Sequence, residues 1–536
     1  MTTNLAQRVL LGVVLLEFVN GILSAYYTPL TVPLARSVGL HDSDWNWIEA
    51  AQTLFGAIMI PVMTRLGDRF GHKRALLVSV TVTALAAWWV VAAGGFVPLI
   101  LAFSLIAFNS VWTALELAVI RDRVAERPDA DERVSAASAA LVLAFMVGSA
   151  GSAMFGGLFF ESSGGWDALQ TALDQGLDPA GYGPFRDALR LALVVPAAWV
   201  SLGLPVVLAL VPQTKPVASQ QRDLAGLLSL IGLLVLLVGG LSVVKLAGPA
   251  HPAGWAVMAV ALAGLWPFVR HERRTADPAL DFHLLATRQV WPYQVAALLL
   301  GVGFNATQIP LVTFASTDPA RAGFGLAADS GDISIVMAVM IGAISVTAAV
   351  LTAAGRRIDK LILLRVAPFI HAGQFVIFLF FHTEMWQAYV AVAIGGVGAG
   401  ILAAWLPAAA ANAAPAGQTA SLVGLISLFQ VVGIALGSAT FAVVLGTVGQ
   451  STGSAASLSG YLTVFAIAVA ASVVSGAILQ AAQRPLEPAA GAAPAGLTGA
   501  AELTGPTGPT GPMSPANPID LAGPAAPTSP TAPKET

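Results

Sequence analysis

Fourteen stretches of this chain are continuously apolar over the ~20 residues that a helix needs to cross the hydrocarbon core of a bilayer. They fall at roughly 9–35, 46–64, 75–95, 98–120, 135–160, 189–211, 224–246, 254–270, 290–315, 332–354, 362–382, 385–407, 419–446 and 459–482. Each run is unbroken rather than alternating, which predicts helices and not barrel strands. In lipid the backbone must satisfy its own hydrogen bonds, so such runs are helical whatever their local propensity. The first run is too long for a cleaved signal peptide and contains Glu17. The pattern predicts an all-α, multi-pass membrane protein with 14 transmembrane helices.

Basic residues test that count. With a cytoplasmic N-terminus, 21 of the 26 Lys and Arg fall in cytoplasmic segments, and only Arg36, Arg186, Arg190, Lys245 and Arg321 fall outside. That is the positive-inside bias, and losing one helix would invert every later loop. Both termini are expected in the cytoplasm and the protein in the cytoplasmic membrane. Charged residues make up 10% of the 536 residues and hydrophobic ones 56%, against roughly 25% charged in a soluble protein. An ordinary soluble enzyme is excluded, and so is a disordered chain. There is no cysteine, which removes disulfides, thiolate nucleophiles and cysteine-bound metals. A net charge of −3 gives no footprint for nucleic acid.

Two segments lie outside the spans. In residues 161–188, Trp166, Leu169, Leu173 and Leu177 recur at helical spacing, which fits either a short helix on the outer leaflet or a solvated loop. Residues 483–536 are rich in Pro, Gly, Ala and Thr, too poor in apolar surface to offset the entropy of ordering, and predict a disordered cytoplasmic tail.

Between the second and third spans the chain reads TRLGDRFGHKRALL, Thr64 to Leu77. Gly67 and Gly71 permit close packing or positive φ. Asp68 can cap a helix or pair with a basic neighbour, and Arg69, Lys73 and Arg74 hold the loop in the cytoplasm. The order resembles the signature loop of the major facilitator superfamily, Gly-x-Leu-Ala-Asp-Arg-x-Gly-Arg-Lys. Leu66, Gly67, Asp68, Arg69, Gly71 and Lys73 occupy its places; Thr64 replaces the first glycine and His72 the penultimate arginine. The resemblance implies a cytoplasmic gating loop, with Asp68 and Arg69 carrying that role.

The segment HERRTADPALDFHLLATRQ, 271–289, is similar to the linker of fourteen-helix drug:proton antiporters in that superfamily, with Glu272, Arg273, Arg274, Pro278, Leu280, Asp281 and Arg288 in order. Two places depart from that branch. Ser152 and Ala153 stand where the fifth helix carries Gly-Pro, ahead of Gly156 and Gly157. Ile106 stands where the fourth carries arginine, with Asn109 and Ser110 in place of Gln-Gly. The resemblance implies two six-helix bundles, 1–211 and 290–482, with a linker at 212–289 that holds two inserted helices, and a cavity lined by helices 1, 4, 9 and 12.

Ionisable residues inside a span cost at least ~2.5–3.5 kcal/mol on insertion scales, so they face a cavity or a partner. Glu17, Asn20 and Ser24 share one face of the first helix, and Asn109, Thr113 and Glu116 one face of the fourth. Asn305 and Gln308 share a face of the ninth. The functional reading is a wet cavity in which Glu17 and Glu116 bind and release protons and the amides and hydroxyls contact substrate. Alternatives stand beside it. Glu17 fits a hydrogen-bonded structural role, and Glu116 fits an ion pair with Arg121 or Arg123. The amides fit helix–helix glue, and His371 fits packing. Glu49, behind Trp45 and Trp47, reads as a residue of the membrane–water interface. Gly395 to Gly400, Gly433 and Gly437 read as close-approach sites.

The leading function is a secondary active transporter working by alternating access, driven by the proton gradient. It needs no nucleotide, since GxxxxGK[ST] is absent, and no metal or other cofactor. Its partners are a small-molecule substrate, protons and the bilayer, with no nucleic acid and no obligate protein partner. Export of an amphiphilic small molecule or drug is what the resemblance implies; import of a metabolite is the alternative. An intramembrane enzyme is a remote option, because only His371 of seven histidines lies well inside a span and no HExxH occurs. A transporter-like sensor is another.

Overall fold

The computed structural model describes residues 2–124, 130–213, 224–248, 251–275, 287, 290–354, 359–413, 419–451 and 453–480. Among the described residues the secondary structure is helical, with no strand. The long helices are α1 (Arg8–Ser37, with a tight turn at Thr28–Leu30), α2 (Asp42–Phe70), α3 (His72–Ala92), α4 (Phe96–Val124), α5 (Ala130–Ser162), α6 (Gly183–Leu210) and α7 (Leu224–Ala247). They continue as α8 (Pro252–Glu272), α9 (Trp291–Ala315), α10 (Ser330–Ala354), α11 (Lys360–Phe380), α12 (Met385–Ala413), α13 (Thr419–Thr447) and α14 (Leu458–Gln480). Among the described residues thirteen helices are long and apolar enough to cross a membrane; α7 carries the apolar stretch Leu228–Val244 and lies along α8. Each apolar run read from the sequence falls on one of these helices.

Local chemistry fixes the starts. His41 caps α2 by accepting from the Ser43 amide while Asp44 accepts from the His41 amide, a capping box. Asp359 caps α11 by accepting from Leu361 and Ile362. Prolines stand inside α6, α8, α11 and α12; spanning helices tolerate them where neighbouring helices and polar side chains satisfy the freed carbonyls.

α1 lies along α5 and α6, α3 along α6, and α4 against α2 and α3. Their shared core holds Val13, Leu16, Val80, Trp112, Phe185 and Val207. In the later half, α10 and α11 lie along α12, α11 along α14, and α9 along α13 and α14. That core is aromatic, with the Phe314 ring edge-on to Phe378, Tyr461 and Phe465 at 5.4–6.2 Å between centroids. Two long seams join the halves, α2 on α13 and α5 on α10, and the end of α1 also touches α9 and α10.

Glycines make the closest crossings, as the sequence suggests. A Cβ at Gly433 would strike the Leu298 backbone, and one at Gly437 would meet Val302, so α13 sits directly on α9. In α12, Gly395 and Gly398 face α11 while Gly396 and Gly400 face α10. The Gly156–Gly157 pair of α5 divides its work: Gly156 meets the Tyr26 carbonyl of α1, and Gly157 meets Ser330 and Ser334 of α10.

The segment between α5 and α6 forms a helix, Gly165–Asp174. Trp166 and Leu169 are buried against α6, Leu173 is half-buried, and Leu177 lies beyond the helix and is exposed. The helix therefore packs on the protein. Pro278, Leu280, Asp281 and Arg288 of the linker pattern lie outside the described residues, as does the tail at 483–536.

Candidate functional site

α1 and α4 bring together five of the polar residues picked from the sequence. Glu17 is 3% exposed, Asn20 4%, Asn109 9% and Glu116 0%. The Thr113 hydroxyl donates to Glu17 Oε1 at 2.8 Å. The Asn20 amide reaches both Glu17 oxygens at 3.3 Å, and Asn109 Nδ2 donates to Asn20 Oδ1 at 2.9 Å. The two helical faces thus interlock in one chain of hydrogen bonds. Glu116 lies against the Glu17 carboxyl, and neither of its oxygens accepts a hydrogen bond. It points into α1, away from the basic end of α4, so the carboxyl pair and not an Arg121 or Arg123 ion pair is the arrangement seen.

Ser24 does not join the cluster: it is exposed and its hydroxyl donates back to the Asn20 carbonyl at 2.9 Å. On α9, a π turn at Gly301–Asn305 interrupts the helix before it resumes at Gln308, a local widening that often marks function. Asn305 and Gln308 are half-buried on this stretch. Gln308 Nε2 donates to the Phe304 carbonyl at 3.1 Å, whereas Asn305 Nδ2 and Gln308 Oε1 have no partner. Deeper in this half, His371 Nδ1 lies 3.1 Å from Ser472 Oγ, its ring edge-on to Phe304.

The α2–α3 turn has the geometry its residues suggest. Gly71 sits at φ +95°, which strains any other residue. Gly67 lets the His72 ring and Leu115 come within 2.9–3.0 Å of where a Cβ would stand. His72 is buried; its Nε2 lies 3.2 Å from Asp68 Oδ1 and its Nδ1 3.3 Å from Asp122 Oδ2. Lys73 Nζ donates to the Leu208 carbonyl in the last turn of α6 at 2.9 Å. The Arg69 guanidinium covers the Phe70 ring at 5.3 Å, and Leu66 is partly exposed. His72, noticed in the sequence only as a departure from the motif, is the residue that ties α2 to α4. Asp122 went unread because Arg121 and Arg123 mask it as part of a basic end.

A second network, not foreseen, fastens the halves at the opposite end. The buried Asp42 carboxylate pairs with Arg36 at 2.5 Å and accepts from the Tyr461 hydroxyl at 2.6 Å and the Ala456 amide at 3.2 Å. The Asp42 amide donates to the Ser454 carbonyl at 3.0 Å, and His41 Nε2 lies 3.2 Å from Ser451 Oγ. Asp174 and Arg321 add an exposed pair at 2.5 Å. Asp42 and Tyr461 are 419 residues apart, so no local pattern could have paired them. Glu49 also departs from the interfacial reading. It turns into the α2–α13 seam, where Ser438 Oγ donates to it at 2.6 Å.

Residues 13–438 match the Major Facilitator Superfamily. No curated protein matches the sequence significantly. Among solved structures, a peptide transporter POT in complex with sulfate is similar at 14% identity and TM-score 0.61, covering 90% of this chain and 96% of its own. The nucleoside transporter NupG is similar at 13% identity and TM-score 0.59, covering 88% of this chain and 98% of its own. An auto-inhibited POT family peptide transporter is similar at 13% identity and TM-score 0.59, covering 92% and 99%. At these identities the likeness establishes the fold.

Proposed function

This chain belongs to the major facilitator superfamily, and from that premise we propose that it couples the movement of an amphiphilic small molecule to the proton gradient through Glu17 and Glu116. It is a membrane transporter and not an enzyme. The observation that carries the proton reading is the contact between two carboxyls, both buried between α1 and α4, one of them with no hydrogen-bond donor. Asn20, Asn109 and Thr113 hold Glu17 in place, so a change of charge there is felt on both helices.

We place α7 as a fourteenth span. With α8 it forms the inserted pair between bundles at 1–211 and 290–482, in line with the fourteen-helix branch. The His72 end then faces the cytoplasm with both termini, the protein sits in the cytoplasmic membrane, and the Asp42 end faces outward. In that orientation the Arg36–Asp42–Tyr461 network holds the outer side shut, and α1, α4, α9 and α12 line a cavity reached from within. Asn305 and Gln308 supply substrate contacts from the later bundle, since their free donor and acceptor suit an uncharged polar group. The Leu66–Lys73 loop, with Asp68 and Arg69, gates the cytoplasmic side.

We take export as the leading direction, from the resemblance of 271–289 to drug:proton antiporters. Import of a metabolite is the second reading, favoured by Ser152 and Ala153 in place of that branch's Gly-Pro. Proteoliposomes carrying a proton gradient of either sign, screened against amphiphilic cations, neutral compounds and small metabolites, report substrate and direction together. Glu17→Gln is expected to insert normally and to lose gradient-driven transport of whichever compound is found. Retained transport removes Glu17 from the mechanism.

A further inference from the structure

The α2–α13 seam holds an acidic side chain that the α1–α4 site does not use. Glu49 lies two turns inside Asp42 on α2, half-buried, and its hydrogen bond comes from Ser438, itself fully buried on α13. The surrounding packing is apolar: Trp47, Ala50 and Leu54 of α2 against Ala435, Ala439 and Ala442 of α13. A carboxylate has about four acceptor positions, and among the described residues a single hydroxyl serves them. Among the described residues no cation pairs with it. α13 has none within Thr419–Thr447 and α4 has none before Glu116. On α2 itself, Asp42 is taken by Arg36 and Tyr461, and Asp44 caps the helix start. α3 carries its charges from His72 to Arg74, at the other end of the bundle; α8, whose Met258 packs on this cluster, has none between His251 and Arg270; and the sequence of α7 has Lys245 near its outer end. A buried charge without an opposite charge is costly.

This seam is one of the two long ones that join the halves, so in an alternating-access cycle its outer end must part. We propose that Glu49 is a further proton-binding residue, one that keeps its proton while α2 and α13 are closed and yields it to outside water when they separate. Outside acid then favours closure and outside alkali favours opening. The inference rests on the transporter reading and its orientation, but involves a carboxyl separate from the Glu17–Glu116 pair.

The chain has no cysteine, so one introduced thiol reports alone. Ala442→Cys places it at a fully buried seam position, and Thr447→Cys at an exposed position one further turn out corrects for the reactivity of the thiol itself. Labelling with a membrane-impermeant maleimide from outside is expected to accelerate, after that correction, by up to about tenfold per pH unit across the titration, the limit for one proton. Adding Glu49→Gln, which keeps an acceptor for Ser438 and cannot ionise, is expected to leave labelling slow and flat with pH; Glu49→Met serves the same purpose should the amide not be tolerated. A Glu49→Gln profile that follows the parent overturns the proposal. Glu17→Gln in the Ala442→Cys background separates the two ideas, being expected to lose driven transport while the labelling profile stays. Driven transport kept by Glu17→Gln, with a flat profile for Glu49→Gln, sinks the carboxyl pair and leaves Glu49 standing.

Discussion

The two halves of the molecule arrange their central polar groups differently. In the first, Glu17, Asn20, Asn109 and Thr113 form a connected network with an acidic neighbour, Glu116, pressed against it. In the second, the buried threonines of α9 bond back to their own helix, while the amides and imidazole of α9 and α11 leave several atoms unpartnered among the described residues: Asn305 Nδ2, Gln308 Oε1, His371 Nε2 and both ends of Gln374. A network whose members satisfy each other is stiff and responds to one change as a unit. Buried groups with free donors and acceptors are costly to leave so, and call for an explanation outside the protein chain. On the function proposed above, charge movement belongs to the first half and recognition of an uncharged polar surface to the second.

The strongest way to break that contrast is to make the halves alike. Glu116→Gln replaces the second carboxyl with an amide and is expected to reduce gradient-driven transport to background while substrate binding persists, as checked by binding to purified protein in detergent. Next in size, Gly157→Val drives a branched side chain into Ser330 and Ser334 on α10. Overpacking of this kind costs about 1–3 kcal/mol, read as a lower unfolding midpoint in detergent, and it strikes both halves where they touch. Tyr461→Phe removes one hydrogen bond to the Asp42 carboxylate, worth about 1.5–3 kcal/mol with a charged acceptor. It is expected to raise outside labelling of a thiol at Ala442 by roughly tenfold or more, since 1.4 kcal/mol is tenfold. Gln308→Ala is expected to weaken substrate binding by a few fold without altering proton movement, measured as an apparent affinity at fixed gradient. Ser24→Ala is expected to change nothing beyond about 0.5 kcal/mol, because its hydroxyl serves only its own helix.

Much of the fold was legible because lipid imposes one rule on every span. Runs such as 75–95 and 459–482 became α3 and α14 with small shifts at their ends. Helical spacing also gave the faces: Glu17 and Asn20, and Asn109, Thr113 and Glu116, meet as their periodicity implies. It could not say that Ser24 turns back on its own backbone, since a hydroxyl can always choose a nearby carbonyl. Nor could it orient Glu49, because the tryptophans beside it mark an interface equally well in lipid or in a helix seam. The Asp42 network was out of reach for a different reason: its members come from α1, α2, the α13–α14 turn and α14 itself, and only the folded halves bring them together. His72 shows an intermediate case, visible as an odd letter in a familiar loop but meaningful only once Asp122 stands beside it.

Proton-driven transport, as proposed, passes a proton through the Glu17–Glu116 contact. The direct measurement is the internal pH of proteoliposomes, followed with an entrapped dye after a transported compound is added with no gradient imposed. Wild-type protein is expected to shift the internal pH in step with substrate movement, and Glu17→Gln and Glu116→Gln to move substrate down its own gradient with no pH change. Equal pH shifts in wild type and both variants contradict the account.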